Sequence, residues 1–253
     1  VALRDDGLAL YNVLAVGYAL ECLGSCPDRR IAAVENIDAV ELCAWLEALP
    51  WQRRAWSAGA HVDAIGTALY FNARYHASGR NREVLFGWLA MHVDRASGLW
   101  GRPTAEEGLL PPVNGFYRLT RGTYAQFGLP VPLPEAAINS VLANYRAHDG
   151  FSGPTYTACN LLDTIHPLLL ALRQTDHRRP EAEAIARAVI RRAGERWQAD
   201  AGFAFAEGQP GSLQGTEMWL SVVHLAAKLL GLADAFPFVP KGVHRTQAVG
   251  LGI

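Results

Sequence analysis

An alternation constrains this chain more than any single motif. Segments 8–23, 59–75, 114–127, 157–172 and 215–230 are apolar nearly all round, while 39–49, 83–93, 135–147 and 181–197 are apolar on one side only. A helix buried on both sides can be apolar all round, whereas one that covers a single layer keeps a polar outer face. In 181–197, for instance, Ala182, Ile185, Ala186, Val189, Ile190, Ala193 and Trp197 form one stripe, with Arg and Glu opposite. No run of strands breaks the series. The pattern predicts an all-α fold with the first set of helices inside and the second outside. Residues 1–253 read as a single domain, with 236–253 an irregular, Pro- and Gly-rich C-terminal tail packed on the surface. Pro167 is expected to kink 157–172 just beyond His166.

The turns repeat as well as the helices. Asp94…Gly98-Leu99-Trp100-Gly101, Asp149-Gly150-Phe151-Ser152-Gly153 and Asp200…Gly202-Phe203 each follow an amphipathic helix. The units are spaced by roughly 45–60 residues, close to helix-pair repeat lengths.

On these turns and helix pairs, most of residues 8–232 resembles the α/α toroid of the terpenoid cyclase and protein prenyltransferase type. That resemblance implies a small or incomplete α/α barrel of helix-pair repeats, with substrate near the N-terminal ends of the inner helices. Similar toroids carry polysaccharide lyases, glycoside hydrolases and sugar epimerases. The chain departs from the pattern in three ways. It has no Asp-x-Asp-Asp acid motif, and Cys159 is the only cysteine on an inner helix near polar residues, so a prenyltransferase-type zinc set is not matched. Five inner and four outer helices also fall short of a six-pair ring. The barrel is therefore either incomplete or completed by a second copy or a partner domain.

Four polar stripes lie on the inner set. Asn114, Tyr117, Arg118 and Arg121 fall at i, i+3, i+4, i+7, which a helix gathers on one face. Asp63, Thr67, Tyr70 and Arg74 form a second stripe, with His61 in the turn before it. Asn160, Asp163, Thr164 and His166 form a third, and Glu217, Ser221 and His224 a fourth, with Gln214 and Trp219 near its start. Each has a plainer reading: a solvated or salt-bridged arginine face, a structural Asp–His pair, a glutamate meeting the helix dipole, a packed core histidine. Together they predict a polar central cavity, because unpaired charge inside an apolar ring is costly unless it meets a partner or a ligand.

A cavity of Asn, Tyr, Arg, His, carboxylates and Trp suits a hydroxylated ligand, either a small molecule or an oligosaccharide. The expected activity is that of a carbohydrate-active enzyme, of lyase or hydrolase type. A lyase acting on uronic acids needs a group to neutralise the carboxylate, a base and an acid, roles open to Asn114 or Arg121, His166 and Tyr117 in that order. A hydrolase needs two separated carboxyl groups, which Asp63, Asp163 or Glu217 could supply. Arg118, Asn160, Trp219, His224 and His61 are expected to bind substrate. The alternatives are a terpenoid cyclase or prenyltransferase-like enzyme and a non-catalytic binding scaffold.

Composition narrows the partners. The chain has 23 basic and 24 acidic residues, a net charge of −1, and no long basic run, so nucleic acid is not expected. Cys22, Cys26, Cys43 and Cys159 lack paired ligand spacing, so neither a metal nor a cofactor is expected. No stretch approaches about 18 uninterrupted apolar residues, so no membrane span is expected. The N-terminus carries no secretory signal pattern, which makes the cytoplasm the expected compartment.

Overall fold

Every helix expected from the alternation is present in the computed structural model, which describes residues 7–241 and 244–246. The largely apolar segments are α1 (Gly7–Cys22), α4 (Ala55–His76), α6 (Leu110–Thr120), α8 (Ala158–Ala171) and α10 (Leu213–Leu229). The amphipathic ones are α3 (Ala39–Glu47), α5 (Arg82–His92), α7 (Pro134–Ala147) and α9 (Arg179–Arg196). A single-turn helix, α2 (Ala32–Glu35), was not expected, nor was the short antiparallel pair β1 (Trp197–Gln198) and β2 (Gly202–Phe203). No helix among the described residues is long and apolar enough to cross a membrane.

Local chemistry accounts for the helix starts. Asp38 and Glu41 close a reciprocal capping box on α3, Thr157 and Asn160 do the same on α8, and Ser212 accepts from Gly215 N at 3.0 Å on α10. Prolines occupy the first turn of α6, α7 and α9, where a missing N–H costs nothing. Helix α8 continues through Pro167 rather than ending there.

Burial follows the two sets except at α1, which was expected inside but packs on one side only and leaves Leu8, Tyr11 and Val16 exposed. Twelve of the fourteen residues of α8 are buried, against four of the eighteen of α9. The inner helices pack in series, α1 on α4, α4 on α6, α6 on α8 and α8 on α10. No interface of that kind joins α10 back to α1 among the described residues. His244, Arg245 and Thr246 bridge this gap. This corrects the expectation that the whole tail packs on the surface, for Thr246 is 5% exposed and the His244 side chain 6%. Residues 236–241 and 244–246 are irregular, as expected, and 242–243 and 247–253 lie outside the described residues.

The most extensive helix interface is that of α4 with α6, and glycine lets the two backbones approach there. A Cβ built on Gly59 would lie 2.3 Å from Gly115 O, and one on Gly66 would lie 2.3 Å from Gly122 O. The glycines sit seven residues apart on each helix, so the two backbones touch along one seam. A Cβ on Gly122 would meet Asp63 Oδ1 at 2.3 Å, so the seam also brings α4's carboxylate against the helix that carries Arg121. Beyond Thr120 the helix widens into a π-turn, Arg121–Ala125, a rare geometry that often marks functional positions.

Candidate functional site

Three of the polar stripes meet at Tyr117. Its side chain comes from the middle of α6 and is buried. Arg121, one turn on, donates from NH1 to the phenol oxygen at 3.1 Å and ion-pairs with the fully buried Asp63 of α4. Burial alone would lower the Arg121 pKa, but the Asp63 carboxylate outweighs it and holds the guanidinium charged. His244 Nε2 lies 3.1 Å from Glu217 Oε1 on α10, and because a carboxylate only accepts, the imidazole proton is assigned to Nε2. That leaves His244 Nδ1 as the acceptor of the phenol O–H, 2.6 Å away. The result is a line of Arg121, Tyr117, His244 and Glu217, with its carboxylate end half-exposed.

Electrostatics set the resting protonation of this line. Burial raises the Tyr117 pKa, so the group rests as a neutral phenol. Burial lowers that of His244, against the pull of Glu217, and the imidazole rests neutral. Burial works against the Glu217 carboxylate, but hydrogen bonds from His244 and Ser221 bring its pKa below the usual range. Asp163 on α8 behaves differently. Burial pushes it up to about 8, against the opposing effect of Arg118 and Arg121, so it is mostly protonated at neutral pH. Burial likewise raises the neighbouring Cys159 thiol to about 11.

His166 stands edge-on to Tyr117, with ring centroids 5.1 Å apart. Its Nε2 donates to the Arg245 carbonyl at 2.6 Å, and its buried Nδ1 has no partner among the described residues. Burial lowers its pKa to about 3, so it is neutral and a weak base. Arg245 ion-pairs with Glu21 of α1, reaches Tyr70 Oη at 3.1 Å and lies 5.2 Å above the Tyr18 ring. The short tail segment thus joins α10 to α1 and α4 through its own side chains.

The other expected residues divide. Arg118 is partly exposed, 4.0 Å from Asp63 and 5.3 Å above the Trp56 ring. Asn114 and His61 are half-buried, and each has a buried polar atom, Oδ1 and Nδ1 respectively, without a partner among the described residues. Asn160 serves the α8 capping box through Thr157 N at 3.0 Å. Trp219 is buried and donates to Ala204 O at 2.9 Å, which makes it a core residue rather than a ligand platform. His224 stands near Lys228 and 6.0 Å from Phe238, two turns beyond Glu217 on α10. Arg121 and Asp63, expected to meet ligand, are occupied with each other. His244, Arg245 and Glu21 carried no expectation. The one available signal was a His-Arg pair within an otherwise weakly polar tail. No group of three or more potential metal-ligating side chains is found among the described residues.

Comparison of the chain with protein-family models, curated proteins and solved structures finds no match.

Proposed function

We propose that the chain is an enzyme that transfers protons on an acidic, polyhydroxylated ligand, of the carbohydrate lyase type, within an incomplete α/α toroid whose open side is filled by its own tail. The observation that carries this reading is the placement of the Tyr117 hydroxyl between Arg121 NH1 at 3.1 Å and His244 Nδ1 at 2.6 Å. Loss of the phenol proton to His244 leaves a phenolate stabilised by the Arg121 guanidinium, while Glu217 stabilises the imidazolium.

In a β-elimination on a uronate, the phenolate takes the proton from the carbon next to the carboxylate. The electron pair left on that carbon forms a double bond to its neighbour as the glycosidic C–O bond breaks. The leaving oxygen takes the proton of Asp163, which is charged with a proton at neutral pH. Tyr117 is then a phenol again, holding the substrate's proton, so His244 gives its own proton to water and Asp163 takes one back from it. In this scheme Tyr117 is the base rather than the acid, since the buried His166 is too weak a base. Two-carboxylate hydrolysis is less favoured because Asp63 is sealed against Arg121 and Glu217 is engaged with His244, which leaves Asp163 without a free second carboxyl group.

A second reading, a non-catalytic scaffold, is supported by the tail lying among α1, α4 and α10, where a ligand was expected. A cyclase is disfavoured by the density of ionisable groups around Tyr117. The test is incubation of the purified protein with uronate-containing oligosaccharides, followed by ultraviolet detection of an unsaturated product. Tyr117→Phe should lower the rate by ~10²-fold or more, the scale of losing one proton-transfer group. Equal rates for the two proteins would overturn the assignment, as would the absence of unsaturated product from every uronate polymer tried.

A further inference from the structure

Among the described residues, Arg118 carries a charge that its ion-pair contacts do not fully offset. Its one carboxylate within ion-pair reach among the described residues is Asp63, at 4.0 Å, and Asp63 already binds Arg121 through both oxygens. One carboxylate between two guanidinium groups leaves a positive charge over. Glu217 is engaged with His244. Arg118 is also held in place, with its guanidinium 5.3 Å above the indole of Trp56.

The charge borders a recess. Between α1 and α4 lies a cavity of about 140 Å³, with Leu10 and Leu14 as its apolar floor and Tyr11, Trp56, His61 and Arg118 around it. Tyr11 is 60% exposed and Trp56 44%, so both aromatic rings remain open to a ligand. His61, on the same wall, has a buried Nδ1 without a partner among the described residues. A partly open Trp, a second aromatic, a fixed guanidinium and an imidazole with an unpaired nitrogen are the components of a subsite for an anionic sugar ring. The aromatic faces stack on C–H surfaces, and the guanidinium pairs with a carboxylate.

We propose that this recess is a second subsite, which binds the acidic residue adjoining the one at Tyr117 and selects charged over neutral chains through Arg118. The proposal rests on the reading of Tyr117 as part of a ligand site, but it concerns binding rather than turnover. Its contribution is to place the anion selectivity on Arg118, now that Arg121 is committed to Asp63.

Isothermal titration calorimetry with trigalacturonate and with maltotriose, its neutral counterpart, tests it. The wild-type protein should bind trigalacturonate at least tenfold more tightly than maltotriose, and added salt should narrow the difference. Arg118→Gln should weaken trigalacturonate binding at least tenfold and leave maltotriose binding unchanged. Trp56→Ala, which removes an exposed ring, should weaken both, and it provides the test should Arg118→Gln fail to fold. Tyr117→Phe should retain the preference for the acidic ligand. If that preference survives while no turnover is found, the subsite stands and the proton-transfer reading falls. The subsite is overturned if the wild type binds neither ligand, if it binds both equally, or if Arg118→Gln and Trp56→Ala bind trigalacturonate as the wild type does.

Discussion

Tyr117 and His244 are separated by 127 residues in the sequence, and the phenol oxygen of one lies 2.6 Å from Nδ1 of the other. The contact joins the middle of α6 to a residue outside any helix or strand, and through Glu217 it extends to α10. His244→Gln removes the imidazole while keeping a polar side chain of similar reach. Turnover should fall at least as far as in Tyr117→Phe. The fold should lose about 1–3 kcal/mol for a buried hydrogen-bond partner left unsatisfied. Chemical denaturation read alongside activity checks both outcomes.

The Arg121–Asp63 pair is buried at both ends, so removing one partner strands a charge. Arg121→Ala should destabilise the protein by about 3–5 kcal/mol. Replacing both, with Asp63→Asn added to Arg121→Ala, should recover part of that loss, because no charge is then stranded. A double-mutant cycle by urea denaturation measures the coupling, and strictly additive effects would contradict the ion pair.

The glycine seam predicts opposite outcomes for the same substitution at two places. At Gly122 an added methyl meets Asp63 backbone at 2.5 Å, so Gly122→Ala should destabilise by about 1–3 kcal/mol and disturb the Arg121 pair. In α5, a Cβ on Gly87 would have nothing within 4 Å, so Gly87→Ala should stabilise by about 0.5–1 kcal/mol through helix propensity. Thermal melts of the two variants should move in opposite directions.

Asp163 gives a pH dependence with a definite sign. Its folded pKa, about 8, lies above the unfolded value near ~3.9, so the native state holds its proton more tightly. The stability this contributes is present at low pH and is lost as pH rises from about 4 through 8. His166, lowered to about 3, acts on the acid side, and its contribution is lost as pH falls below ~6.5. Asp163→Asn should therefore raise the melting temperature relative to wild type at pH 9 by more than it does at pH 5. An equal shift at both would contradict a buried, protonated Asp163.

What was legible in the sequence was what helical periodicity encodes. The stripe Asp63, Thr67, Tyr70, Arg74 could be read at its spacing, and its first three members are buried against polar partners: Arg121, Gln126 and Arg245. The stripe on α6 was legible for the same reason. Gly59, Gly66, Gly115 and Gly122 were equally visible at a spacing of seven, but only the packing of α4 on α6 shows that they bring Asp63 to Arg121. Trp219 looked like a ligand platform, yet its indole N–H is satisfied by Ala204 O at 2.9 Å, a loop contact that no periodicity carries. His244 and Arg245 were illegible because they lie outside any helix or strand, where no period applies, and their partners lie on helices more than twenty residues away along the chain. The protonation of Asp163 follows from burial, a property of the assembled core.

The central claim is that the Tyr117 hydroxyl, set between Arg121 and His244, removes a carbon-bound proton from an acidic sugar. Proton exchange in deuterium oxide tests it whether or not a bond then breaks. The protein is incubated with a uronate oligosaccharide, and the proton on the carbon beside the carboxylate is followed by NMR. The wild type should lose that signal, by deuterium incorporation or by elimination, and Tyr117→Phe and His244→Gln should slow the loss by ~10²-fold or more. An undiminished signal with the wild-type protein, or an equal rate of loss with Tyr117→Phe, would contradict it.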